Sequence, residues 1–137
     1  MLKIYCAALC SPNPGGAGIG GFVAVGEKAP FFQETSHVGS GPGMTDMVAE
    51  YRNMQRALEW AMLKHPKSKV TICTNSHRII NQLNGTWRVR SPVLLDLIDT
   101  IRNTAAKLPA VKYELRNDAT QKQIISETKS ALARRRR

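Results

Sequence analysis

The chain has 137 residues, of which 42% are hydrophobic, and 20 Lys and Arg against 10 Asp and Glu give it a formal net charge of +10 at pH 7. That length suits one domain with a real core, and the absence of any run of about 18 apolar residues excludes a helical membrane span. The charge is uneven: residues 1–68 carry 6 Lys/Arg against 5 Asp/Glu, and residues 69–137 carry 14 against 5. Positive charge segregated in this way suits a polyanionic partner; the alternative is a solvated face with a basic tail.

In chain order, Leu2 to Cys10 reads as a strand and ends in the turn cluster Ser11-Pro12-Asn13-Pro14-Gly15-Gly16. Strands over about Gly18–Val25 and Phe31–Val38 follow at short spacing, which predicts an antiparallel meander. Met47, Val48, Tyr51, Met54, Ala57, Leu58, Ala61 and Met62 recur every three or four residues, the stripe of an amphipathic helix. Thr45 or Asp46 can cap its start, and His65-Pro66 stops it. Val70 to Thr74 is a short buried strand between helices, expected to pair in parallel with the first. A short helix over Ser76–Leu83 ends at Asn84-Gly85, and Thr86 to Arg90 links it onward. Ser91-Pro92 opens another helix, with Ser91 as cap and an apolar stripe of Leu94, Leu95, Leu97, Ile98 and Ile101. Val111 to Leu115 alternates as a last strand, and a final helix spans roughly Thr120–Ala133.

Cys6, Cys10 and Cys73 are odd in number and lack CxxC spacing, and His37, His65 and His77 are too few to complete zinc sites with them. Neither a disulfide nor zinc is expected. Met1-Leu2-Lys3 leads straight into the first strand pattern, with no charged-then-apolar leader, so an intracellular setting is expected.

Three segments now acquire a common meaning. YCAALCSPNPGGAGIG (Tyr5–Gly20), TDMVAEY (Thr45–Tyr51) and TNSHRIINQLNGTWRVRSPVLL (Thr74–Leu95), with a weaker match at LRNDATQKQIISETKSAL, together resemble type 1 ribonuclease H in its compact archaeal and bacterial form. The resemblance covers nearly the whole chain. It implies an α/β, ribonuclease H-like fold: a five-stranded mixed sheet, three antiparallel strands and then parallel ones, with helices on both faces. Residues 1–133 would form that domain, and residues 134–137 a basic C-terminal tail.

The family cuts RNA in RNA–DNA hybrids with two divalent ions held by four carboxylates. In this chain the resemblance matches those four positions to Ala7, Glu50, Asn75 and Gln123. Ala7 has no ligand atom, Asn75 offers a carbonyl without charge, and only Glu50 keeps the acid. Asp46, one turn before Glu50, and Asp118, ahead of the final helix, are nearby acids, yet neither lies on the first strand. Read without the family, Asn75 is a plausible helix cap and Ala7 an ordinary strand residue.

Backbone-binding positions implied by the resemblance are Asn13, Gly15 and Thr45, although turn chemistry accounts equally well for Asn13. Asp46 and Met47 replace the amides expected beside Thr45. Trp87, Arg88 and Arg90 make an aromatic-plus-basic loop suited to stacking or phosphate contact; packing of Trp87 on the sheet edge is the alternative. Arg134, Arg135, Arg136 and Arg137 add four further phosphate contacts at a helix end. The expectation is therefore a pseudoenzyme that binds RNA, RNA–DNA hybrid or DNA as a structural or guiding subunit. Its partners would include protein subunits of a nucleoprotein complex, with cytoplasmic or nucleoprotein-associated location and no membrane. No cofactor is expected; Mg²⁺ or Mn²⁺ enters only under the alternative of a weak, degenerate hybrid-cutting ribonuclease.

Overall fold

The computed structural model describes residues 1–135. Three strands come first, β1 (Leu2–Ser11), β2 (Ala17–Val25) and β3 (Pro30–Ser40), followed by α1 (Asp46–Lys64) and β4 (Lys69–Thr74). Two helices, α2 (His77–Leu83) and α3 (Pro92–Ala105), lead to β5 (Ala110–Leu115) and α4 (Ala119–Arg135). The sheet order is β3-β2-β1-β4-β5. β1, β2 and β3 form the antiparallel meander, and β4 pairs in parallel with both β1 and β5. The fold is the five-stranded mixed sheet that the sequence implies.

Alternation along β1 sends its side chains to two cores. Leu2, Ile4 and Cys6 face α1, where they meet Met54, Leu58, Ile79, Ile98 and Ile101 from the three helices of that side. Tyr5 and Ala7 face α4 and pack with Val23, Cys73 and Ile124. Both helix layers come close to β2 because it carries adjacent glycines: a Cβ on Gly20 would strike the Asn53 side chain of α1, and one on Gly21 would lie 2.6 Å from Thr128 Oγ1 of α4. The cysteines are buried and free.

The caps follow the local chemistry. Thr45 Oγ1 accepts from Val48 N at 3.1 Å, and Ser91 Oγ accepts from Leu94 N at 3.3 Å, with Pro92 opening α3. Ser76, rather than Asn75, caps α2. Leu95 belongs to the apolar stripe of α3 by its spacing, yet it is 43% exposed; Ile98, Ile101 and Thr104 carry the buried face. α4 continues through Arg135, so Arg134 and Arg135 are helical rather than part of a tail. Arg136 and Arg137 lie outside the described residues.

Candidate nucleic-acid interface

β1, the second turn of α1 and the end of β4 bring Ala7, Glu50 and Asn75 to one small cleft of about 10 Å³, scarcely enough for one water. Gln123 does not join them. It is exposed on α4, where its Nε2 donates to Glu127 Oε1 one turn on at 3.1 Å. The helix meets the first strand instead through Gln121, fully buried, whose Nε2 donates to Cys6 O at 2.8 Å. The helical phase places Gln121, Ile124 and Thr128 inward, and a two-residue offset puts Gln123 on the solvent side.

Glu50 is the chemical anomaly of the cleft. Its Oε2 is buried without a hydrogen-bond partner. Burial pushes its carboxyl up to about 7; a hydrogen bond from Ser76 and the charge of Arg78 pull it back, while Asp46 adds to the rise. Beside it, Asn53 is fully buried and its Nδ2 donates to Ala7 O at 3.2 Å and Gly21 O at 2.8 Å, stapling α1 across β1 and β2. On the α4 face, burial and then a hydrogen bond to Asp118 raise the Tyr5 phenol to about 12, so it remains the donor of that 2.8 Å bond.

Asp46 and Asp118 are both engaged in hydrogen bonds of their own. Asp46 Oδ1 accepts from Cys10 N at 2.6 Å, and its Oδ2 accepts from Asn13 Nδ2 at 3.0 Å. Asn13 Oδ1 accepts in return from Asp46 N at 3.2 Å, so the turn role of Asn13 is the one realised. Gly15, at φ +93°, donates its N–H to Met44 O at 2.8 Å and welds the same turn to the start of α1. Asp118 caps α4 by accepting from Gln121 N at 3.0 Å. Among the described residues no three His, Cys, Asp or Glu side chains gather as a metal-holding group.

An open groove of about 470 Å³ lies between the first turns of α1 and α3, lined by Asn13, Thr45, Asp46, Arg78, Ser91 and neighbours. Two capped helix starts thus face one space, and helix starts favour anions. The Thr45 hydroxyl, which accepts from Val48 N, retains its own hydrogen to donate. Arg78 and Ser91 were not anticipated as a pair, because they come together only when α2 and α3 fold beside α1. Arg88 and Arg90 are exposed and have no ion-pair partner among the described residues, and Trp87 is 47% exposed rather than packed away.

Residues 6–122 match the reverse transcriptase-like family. The chain belongs to the reverse transcriptase-like family. Over 103 residues, 74% of this chain, it is 29% identical to the bifunctional protein Rv2228c of Mycobacterium tuberculosis, but the match spans only 27% of that protein. The fold is that of ribonuclease H1 from the archaeon Halobacterium salinarum, with a TM-score of 0.86, 20% identity and coverage of 96% and 97% of the two chains. LC11-RNase H1, isolated from compost by a metagenomic approach, is similar at TM-score 0.86 and 21% identity over 99% and 98%. The same protein in complex with an RNA/DNA hybrid gives a TM-score of 0.81 at 23% identity over 96% and 99%. A divalent pair does not fit the residues present in this reverse transcriptase-like chain: among those lining a space of about 10 Å³, Glu50 is the one carboxylate, and Ala7 and Asn75 beside it bring a methyl group and an uncharged amide.

Proposed function

We propose that this chain holds nucleic-acid backbone without cutting it, as a structural or guiding part of a larger nucleoprotein assembly. The observation that carries this reading is a juxtaposition. A cleft with Glu50 as its lone carboxylate, flanked by Ala7 and Asn75, lies near a groove built from two helix starts and Arg78, close enough that Asp46 and Arg78 of that groove act on the Glu50 charge. The first feature removes the charge that would hold catalytic ions; the second offers donors and positive potential to a phosphate. Thr45, Arg78 and Ser91 would hold that phosphate, with Asn13 and Gly15 shaping the wall through the turn they lock. Arg88 and Arg90 would add exposed contacts beyond α2. Similarity to LC11-RNase H1, solved with an RNA/DNA hybrid, supports hybrid as the first nucleic acid to test.

The test pairs binding with cleavage. Fluorescence anisotropy on a short RNA–DNA hybrid should show affinity falling steeply with salt, by about 0.9 in log–log slope per phosphate contact. Arg78→Gln should weaken binding and flatten that slope by about one contact. No product should form with Mg²⁺ or Mn²⁺. Binding indifferent to salt would overturn the backbone role. Metal-dependent cleavage abolished by Glu50→Gln would overturn the non-catalytic reading in favour of a degenerate ribonuclease.

A further inference from the structure

The groove at Thr45 and Ser91 is the first of three that follow one another around the β3 edge of the sheet. The second, of about 330 Å³, is lined by His37, Val38, Arg52, Arg56, Leu97 and neighbours. It lies one helical turn beyond the first along the α1–α3 seam. Val48 and Leu94 line the first groove and Arg52 and Leu97 the second, one helical turn further on, while Val38, Leu94 and Leu97 pack on the shared cluster around Val48. The third, of about 340 Å³, is lined by Thr35, Ser36, His37, Arg134 and Arg135 with Ile19 and Ala131. His37, exposed on the edge strand, lines both the second and the third.

Beyond the first groove, where Asp46 is taken up by Cys10 N and Asn13 Nδ2, the charge along this path is predominantly positive. No Asp or Glu lines the second or third groove among the described residues. Arg56 is paired with Glu34, but Arg52, Arg134 and Arg135 have no carboxylate partner there. Arg52 is held on the edge strand by donating to Val38 O at 3.0 Å, which pre-positions its guanidinium. Along α1, Thr45 to Arg56 advances about 16 Å at ~1.5 Å per residue, long enough to run beside a few successive phosphates of one strand.

Geometry decides the kind of strand. α1 and α4 cover opposite faces of the sheet, so the passage from Arg52 to Arg134 turns around the width of its edge strand. A duplex is stiff over about 150 base pairs and cannot follow so tight a turn, whereas a single strand can. We propose that the β3 edge binds a single-stranded extension of the nucleic acid held in the first groove, its phosphates passing Arg52 and His37 to reach Arg134 and Arg135. This rests on the backbone-binding reading above and gives it a substrate class: a duplex with a single-stranded overhang.

The test uses the full chain and three labelled probes: a short blunt hybrid, the same hybrid with an overhang of about 10 nucleotides at one end or the other, and that single strand alone. One of the overhangs should tighten binding about fivefold or more and steepen the log–log salt slope by ~0.7 per added phosphate contact. The double variant Arg134→Gln/Arg135→Gln should erase most of that gain, with a much smaller effect on the blunt hybrid's affinity and no change in the melting temperature. Arg52→Gln, on the other side of His37, should do the same in part. No gain from either overhang, or a gain that survives the double variant, would overturn the proposal. So would equal weakening of blunt and overhung probes, which would assign the arginines to duplex contact. If the blunt hybrid is not bound at all, the backbone-binding reading fails, and the single strand still reads the edge. Binding of that strand lost in the double variant supports the path, and its absence from the natural protein refutes it.

Discussion

Glu50 sets a pH dependence that can be worked from the site. Burial raises its carboxyl from the usual 4.5 to about 7 in the folded chain. Between those values the native state binds more protons than the unfolded one, so stability falls as pH rises through the window and the full penalty is present above about pH 7. A difference of roughly 2.5 pKa units at 1.36 kcal/mol each makes that penalty about 3 kcal/mol. Glu50→Gln removes the ionisation and keeps the shape; its amide, placed where Oε2 lacks a partner, costs roughly 1 kcal/mol at every pH. The variant should therefore be slightly less stable than the natural protein at pH 5 and about 2 kcal/mol more stable at pH 8.5, the relative change being about 3 kcal/mol. Thermal melts in EDTA, followed by circular dichroism, should show the two curves crossing. At this chain length the relative shift in melting temperature is on the order of 10 °C. Curves that stay parallel from pH 5 to pH 8.5 would refute a buried, high-pKa Glu50.

Three further outcomes follow from the packing around that cleft. Asp46→Ala strips the acceptors of Cys10 N and Asn13 Nδ2, and urea unfolding should show a loss of about 1–3 kcal/mol; an unchanged midpoint would mean that the turn is held without it. Gly20→Ala drives a methyl into Asn53 and should cost roughly 1–3 kcal/mol, whereas Gly43→Ala, where an added Cβ meets nothing within 4 Å, should be close to neutral; equal effects would sink the close-approach argument. Ala7→Asp with Asn75→Asp crowds two new carboxylates onto Glu50, so the variant should melt lower in EDTA and recover with millimolar Mn²⁺. The natural protein should melt alike in both, and a large metal-dependent rise in it would point to a real cation site.

Secondary structure was legible because periodicity and punctuation are local. The α1 stripe, the Ser91-Pro92 start and the short strand spacing each depend on residues within a turn or two, and all reappear in place. The meeting of Ala7, Glu50 and Asn75 was legible only through resemblance, since no spacing rule joins residues 43 and 25 positions apart. That Gln121 rather than Gln123 turns inward was not legible because the phase of α4 is weakly patterned: its buried face mixes Gln121, Ile124, Thr128 and Leu132, two of them polar. Gln121 is buried against Cys6 O for a reason that no helical wheel contains, namely a carbonyl on a strand 115 residues away. Asn53 is the same case, drawn into the core by two strand carbonyls.

By itself, the sequence determined the element order, the Ser91-Pro92 helix start, the positive charge of the second half and the absence of a carboxylate at positions 7 and 75. Those are properties of residue type and near neighbours. Only the tertiary structure decided that Asp46 is spent on the Asn13 turn, that Arg78 and Ser91 face one groove with Thr45, and that His37 joins Arg52 to Arg134 around the sheet edge. Burial and convergence arise from chain crossings between distant segments, and the dielectric that lifts Glu50 exists only once those segments have closed over it.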